Sequence, residues 1–426
     1  MFWKELKKGA RSIPFLLLFL TLLIFYQSQL GGYLDEDKKL TEPQPGLTEY
    51  GLVHTDDPAL VMPGALNSLL SEFASNRYVT YPWGFLRNVR LGEEDQGKMA
   101  ELLSQLSGTD QETVLAMEND PDAQGGMTVT MNEDGTLSAQ QQESDHGLTP
   151  AEGLSYARFR ELMNQADDLL GGGSDYREDR LSAFAYRGKT YEEALREYKE
   201  AREIDRYTGA HARLFSDYMT IFCAFLPAFL MVSEGLRDRR ARMRELIFTR
   251  RVSSLRLTLT RYGAAVLLSM APVLLLMGID TVRSALLYSG LSIDPLAYCK
   301  YTLGWILPTV LFSCSLGLVI TELTDTPLGL AAILALWFLD LNRGIRQMSG
   351  GYGDFLLMPR HNNIMGASTF QQNFGELLTN RLLYTAIALA LVGLSALVLE
   401  QKRKGRWFGF DAFKTRFIHR KNLCEE

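Results

Sequence analysis

Apolar residues along this 426-residue chain are gathered rather than spread. They form six long runs: Ile13–Leu30, Phe215–Val232, Leu257–Ile279, Tyr301–Thr321, Leu328–Leu341 and Leu382–Leu399. A helix crossing the hydrocarbon core needs about 20 mostly apolar residues, each adding about 1.5 Å of rise. Only helices and closed barrels satisfy every backbone group there without water, so runs of this length predict helices. The expected fold class is therefore membrane all-α, with six transmembrane helices. The fifth run is the shortest and reaches only to Asp340.

Between the first and second runs, residues 31–210 follow a different pattern. Thr149-Pro150-Ala151-Glu152 carries a capping residue, a proline at the first helical position and a reciprocal glutamate, which predicts a helix start. Phe159, Leu162, Met163, Ala166, Leu169 and Leu170 then form a stripe at helical spacing, stopped by Gly171-Gly172-Gly173. Thr109 to Glu112 and Thr190 to Glu193 are further boxes of the same kind, and Met99, Leu102, Leu103 and Leu106 mark a helix closed by Gly108. Met127–Met131 and Thr136–Ala139 flank Asn132-Glu133-Asp134-Gly135 as a small hairpin. The stretch is expected to be a mainly helical domain. Its last helix shows an apolar face of Tyr191, Leu195, Tyr198, Ala201 and Ile204, and no proline follows Thr190 until Pro227. An uninterrupted helix from there into the second span would act as a lever, or equally as a plain stalk.

Charge separates the same regions. Residues 31–210 carry about −18 against −6 for the whole chain, leaving about +12 for the rest. Basic residues favour the cytoplasmic side of a membrane. Lys4, Lys7, Lys8 and Arg11 precede the first run; Arg237, Arg239, Arg240, Arg242, Arg244, Arg250 and Arg251 follow the second; Lys402, Arg403, Lys404 and Arg406 follow the sixth. Six crossings put all three clusters on the inner face of the cell membrane and residues 31–210 outside. The expected organisation is 1–30 as an interfacial helix and first span, 31–210 as the acidic extracytoplasmic domain, 211–400 as a five-helix transmembrane domain, and 401–426 as a basic cytoplasmic tail. A cleaved signal peptide would also begin with bases and an apolar run, but Gln27-Ser28-Gln29-Leu30 lacks small residues at the cleavage spacing, so the first span is read as retained. The cysteines are Cys223, Cys299, Cys314 and Cys424, so the polar domain is held by its core and not by disulfides.

Catalytic patterns are scarce. Gly188-Lys189-Thr190 resembles the end of a phosphate loop, but Ala183 stands where its first glycine belongs, and a turn before a helix explains it. The glycine triplet lacks the strand-before, helix-after setting of a nucleotide fingerprint. His54, His146, His211, His361 and His419 are scattered without metal-ligand spacing, and His54 beside Asp56 and Asp57 reads as a solvated loop. Asp217, Glu322 and Asp340 sit at span ends, where snorkelling to the interface accounts for them. No catalytic group, directly bound cofactor, metal or nucleic-acid partner is expected.

Past the second run come Ser233-Glu234-Gly235-Leu236-Arg237-Asp238-Arg239-Arg240, Arg244-Glu245-Leu246-Ile247, and Arg250-Arg251-Val252-Ser253-Ser254. This predicts a short basic helix with Arg240, Arg244 and Ile247 on one face, a turn at the serines, and re-entry through Arg261-Tyr262. Such a helix either anchors to lipid phosphate or docks a soluble partner. The order of parts resembles the ABC-2 family of transporter permeases: one span, a large outer domain, a second span, a glutamate and basic helix ending at a serine turn over 234–254, then four spans. A longer outer loop at Asn342–Arg381, with Gly350-Gly351-Tyr352-Gly353, precedes the last span, and Phe2-Trp3 to Arg11 looks like the family's interfacial elbow helix.

The resemblance implies a bacterial exporter's permease subunit, half of a translocation pathway completed by a second copy or a paralogue. ATP and magnesium would be bound by a separate ATPase subunit, whose contacts would be Glu234, Arg237, Asp238, Arg240, Arg244 and Glu245. A membrane sensor or assembly scaffold is the alternative; a membrane-embedded enzyme would need polar catalytic groups at one depth. The cargo stays open: the acidic domain suits a cationic peptide, but surface acids usually serve solubility.

Overall fold

The structure is a computed structural model. It describes residues 1–406 except 47–49, 83–85, 119–126, 132–136, 142–146, 250, 346–350 and 354, with backbone alone for 127–131, 137–141, 238, 239, 244, 245, 344 and 345. The helices are α1 (Phe2–Ala10), α2 (Ile13–Gln29), α3 (Pro58–Ser75), α4 (Glu93–Ser107), α5 (Gln111–Ala116), α6 (Tyr156–Leu169), α7 (Tyr191–Glu203) and α8 (Thr208–Cys223). They continue as α9 (Leu226–Arg240), α10 (Arg244–Phe248), α11 (Ser254–Leu287), α12 (Ala297–Tyr301), α13 (Leu307–Thr324), α14 (Leu328–Ile345), α15 (Ala367–Gln372) and α16 (Phe374–Arg403). The strands are β1 (Leu52–His54), β2 (Tyr78–Thr80), β3 (Arg87–Val89), β4 (Met127–Met131), β5 (Leu137–Gln141) and β6 (Tyr186–Gly188). The chain divides into two compact units, Gln44–Ala194, and Met1–Pro43 with Leu195–Glu426.

Unit Gln44–Ala194 is narrower than the 31–210 expected. Its core joins α3, α4 and α6 through Leu66, Phe73, Met99, Leu103, Phe159 and Met163, with Tyr78 and Tyr176 buried among them. Each such side chain contributes about 1.5–3 kcal/mol on burial. Gly64 lets α3 lie against the chain at Phe184, whose carbonyl oxygen a Cβ would meet at 2.3 Å. Strands pair antiparallel as β1–β6, β2–β3 and β4–β5. The last of these is the expected hairpin, Met131 opposite Leu137, its turn outside the described residues. Gly108 closes α4 in the left-handed region at φ 73°, as its position predicts. The Thr190–Glu193 box forms reciprocally: Glu193 accepts from the Thr190 amide at 3.0 Å, and the Glu193 amide donates to the Thr190 hydroxyl at 3.2 Å.

Two helix starts fall elsewhere than expected. The cap of α5 is Asp110, one residue beyond Thr109. The start of α6 is capped by Ser155, which accepts from the Arg158 amide at 3.3 Å, and not by Thr149. The Ala151 amide donates instead to the Leu106 carbonyl at 2.9 Å, so the apparent box serves the end of α4.

The second unit is a helical bundle. Its central helix, α13, packs on α9, α11, α14 and α16. A Cβ at Gly329 would lie 2.9 Å from the Gly317 carbonyl, so α14 approaches α13 at glycines. Four helical segments are long and apolar enough to cross a membrane: Thr208–Arg237, Ser254–Leu287, Ala297–Thr324 and Phe374–Arg403. A fifth arises if α1 and α2, which meet at a 65° bend, count as one span. The 328–341 run forms α14, of 18 residues. Leucines on the outside of α2, α11 and α16 are exposed (Leu16, Leu17, Leu275, Leu286, Leu389 and Leu397 among them), as lipid-facing positions are.

The uninterrupted lever helix does not form. The helix stops at Glu203, and α8 starts afresh at Thr208. Arg206 and Tyr207 sit at φ 48° and 59°, a left-handed geometry costing a side chain roughly 1–2 kcal/mol per residue. Tertiary contacts offset that cost. Asp205 accepts two bonds from the buried Arg213 guanidinium, at 2.8 and 2.9 Å, and Tyr207 stacks on Tyr288 with centroids 4.8 Å apart.

Candidate functional site

The short basic helix expected over 234–247 is in fact two pieces. Glu234, Arg237 and Arg240 lie on α9, which continues α8, and Arg244 opens the separate α10. Arg242 between them has φ 53°, so Arg240 and Arg244 do not share a helix face. The serine turn forms as predicted, with Ser253 capping α11 by accepting from the Arg256 amide at 3.2 Å.

Glu234 is buried at 7% exposure and pairs with Arg237 one turn on. Arg237 also reaches the Glu5 carboxylate of α1 at 2.6 Å. The α1 helix itself is seated on α11, where Phe2 comes within contact distance of Gly263 and Gly9 meets Leu268. Two of the expected contact residues therefore tie α9 to the N-terminal helix α1. Arg240 is exposed beside Met243 and Leu246, which are 45% and 61% exposed. The side chains of Asp238, Arg244 and Glu245 lie outside the described residues.

The other flank of this segment is held by the end of α16. Arg403 donates to the carbonyls of Val252 at 2.6 Å and Phe248 at 3.1 Å, and to the Ser254 hydroxyl at 3.2 Å. Ser254 in turn donates to Glu400 at 2.6 Å. Lys402, with its side chain 5% exposed, bonds the Glu322 carbonyl and pairs with Asp325 at 2.9 Å. Basic side chains at a helix C-terminus complement its dipole, but here they also staple α10 and the α13–α14 turn. Between the two anchors lies a cleft lined by Gly235, Leu236, Ile247, Phe248, Leu257, Arg261, Thr321, Glu322, Asp325 and Leu399.

At the other end of the bundle, Asp217 and Asp340 do not snorkel. Both are buried, and both hold the loop before α15. Asp217 accepts from the amides of His361 at 3.0 Å and Asn362 at 2.8 Å, and Asp340 from that of Met358 at 2.7 Å. Arg381, 4% exposed, donates to the carbonyls of Leu356 at 2.9 Å and Trp305 at 3.2 Å, and to Thr309 at 2.7 Å. A carboxylate in a dry site is stable only when its lone pairs are used, which this loop's amides achieve. His361 bonds Tyr352 through Nδ1 and donates from Nε2 to the Met365 carbonyl at 2.6 Å, the arrangement of a neutral ring. Burial, aided by the Arg213 charge, holds its pKa down at about 4.

A further buried acid, Asp280 of α11, bonds the Tyr26 hydroxyl, while Arg283 reaches Asp35 at 3.0 Å and the Gly31 carbonyl at 2.9 Å. Sequence reasoning passed over Asp280 and the buried arginines 213 and 381. Their signal was available: a charge inside or beside an apolar run needs a partner. His54 packs against Tyr186 with the rings tilted and their centroids 4.1 Å apart. Among the described residues, no three His, Cys, Asp or Glu side chains are grouped to hold a metal. Compared with protein-family models, curated proteins and solved structures, the chain matches none.

Proposed function

We propose that the chain is the membrane-spanning permease subunit of an ATP-binding-cassette exporter in the cell membrane. Its six spans would be α2, α8–α9, α11, α12–α13, α14 and α16, with both termini inside and the Gln44–Ala194 unit outside. A separate ATPase subunit would supply energy, and a second copy or paralogue would complete the pathway.

The supporting observation is the suspension of residues 241–253. One end is tied to α1 through Glu5, Arg237 and Glu234, the other to α16 through Arg403, Ser254 and Glu400. A push on this segment would reach α1, α9, α11 and α16 together. Arg240 at the end of α9 and the segment's Met243 and Leu246, all exposed, offer the mix of charge and apolar surface that a docking partner buries. The π-helical turn at Thr302–Ile306, ahead of Pro308, supplies an irregular point in the fourth span, and such turns recur at working sites.

The deciding experiment is purification of the chain from its native membrane. The reading expects a co-purifying protein with an intact Walker A sequence, and ATP hydrolysis that needs both chains. A complex lacking any such ATPase would leave the sensor or scaffold reading instead.

A further inference from the structure

Helix α1 presents opposite chemistries on its two sides. Phe2, Glu5, Leu6 and Gly9 face the bundle and are partly or fully buried. Lys4, Lys7, Lys8 and Arg11 are exposed, and Trp3 is 75% exposed. At about 100° per residue, Trp3 falls between the apolar arc and Lys7. The chain then turns through 65° into α2, whose Ile13, Leu16, Leu17, Leu20 and Ile24 are exposed apolar positions. A tryptophan at the rim of a basic face, beside the start of a lipid-facing helix, occupies the depth of the phosphates.

We propose that the outward face of α1 binds anionic phospholipid headgroups through Lys4, Lys7, Lys8 and Arg11, and that Lys8 passes this contact to the Arg237 junction. Charge complementarity selects the occupant. The only acid on α1, Glu5, is turned toward the bundle with its side chain 11% exposed and reaches Lys8 alone of the four, so among the described residues Lys4, Lys7 and Arg11 have no acid paired with them. Glu5 stands between Lys8, at 3.5 Å, and Arg237, at 2.6 Å. When a lipid phosphate draws Lys8 away, Glu5 is left to Arg237 alone and the junction tightens. The inference rests on α1 lying at the inner membrane surface, as in the reading above, but not on an ATPase partner.

The test uses the purified full chain in phosphatidylcholine vesicles containing brominated acyl chains. These are carried either on phosphatidylglycerol or on phosphatidylcholine at equal mole fraction. Trp3 emission, isolated by difference from the W3F variant, should be quenched about twofold more by the brominated phosphatidylglycerol. The preference should vanish in a K4Q/K7Q/K8Q variant and, in the unaltered chain, at about 1 M salt, where the Debye length is about 3 Å. Equal quenching by the two lipids overturns the proposal, as does a preference that survives high salt, or no quenching by either lipid. The readout needs no nucleotide, so its failure leaves the transporter reading intact, and absence of an ATPase leaves the lipid result intact.

Discussion

Arg213 is wholly buried, and its guanidinium grips the Asp205 carboxylate eight residues earlier with bonds of 2.8 and 2.9 Å. Removing one member leaves the other charged in a dry site, which costs about 3–5 kcal/mol. Arg213→Met is thus expected to lower the unfolding temperature of the detergent-purified chain sharply. The paired variant Asp205→Leu/Arg213→Met should regain most of the loss. A single variant as stable as the unaltered chain would show that the pair does not hold the turn at 204–207.

Glu72 is a pH-sensitive joint in the Gln44–Ala194 unit. It accepts from the Val79 amide at 3.2 Å and the Tyr176 hydroxyl at 2.9 Å, yet burial outweighs both bonds and raises its pKa to about 7, above the usual 4.5. The folded form therefore holds the proton more tightly than the unfolded form. Its stabilising contribution is complete below about pH 4.5 and is lost as pH rises through 7, by on the order of 3 kcal/mol. Protection from hydrogen exchange in this unit, taken relative to the unfolded-chain rate at each pH, should fall between about pH 4.5 and 7, and Glu72→Gln should flatten that dependence. A flat profile in the unaltered chain would refute it.

The Glu5–Arg237 link should matter for coupling more than for folding. Partly exposed pairs contribute about 1 kcal/mol or less. Under the transporter reading, Arg237→Glu should depress chain-dependent ATP hydrolysis with the protein still inserted and folded. Glu5→Arg in the same background should restore part of it. Failure of the reciprocal exchange to rescue any activity would separate the two residues.

Arg403 is the hub of the second anchor, with three acceptors on the 248–254 segment. Arg403→Met removes charge-assisted bonds worth about 1.5–3 kcal/mol each when fully desolvated, and less here where the site is half-open. Limited proteolysis at the arginines of 242–251 should accelerate in the variant while cleavage elsewhere is unchanged.

Topology is checked by single cysteines. Arg240→Cys should react with a membrane-impermeant maleimide only after the cells are opened, and Asp110→Cys should react in intact cells. The opposite pattern would remove the basis for docking an intracellular ATPase.

Much of the local structure could be read from residue order. The stripe behind Phe159, the stop at Gly171, the box at Thr190 and the apolar runs rest on spacing and on turn chemistry, which act over a few residues. The misreadings share a cause. Thr149 has the chemistry of a cap, but no helix starts there, because the Ala151 amide donates to the Leu106 carbonyl at the end of α4. Asp217 and Asp340 resembled surface acids because their partners, amides at 358 to 362, are remote in sequence.

Hydrophobic runs and the sign of charge beside them are local quantities, so the sequence alone determined a mainly helical chain, with helices long and apolar enough to span a membrane and an acidic polar stretch set between them. Where helices break and what each buried charge grips was decided only in three dimensions. Left-handed residues 206 and 207, and ion pairs such as Glu5–Arg237, persist because groups distant along the chain supply the free energy that local preference denies them.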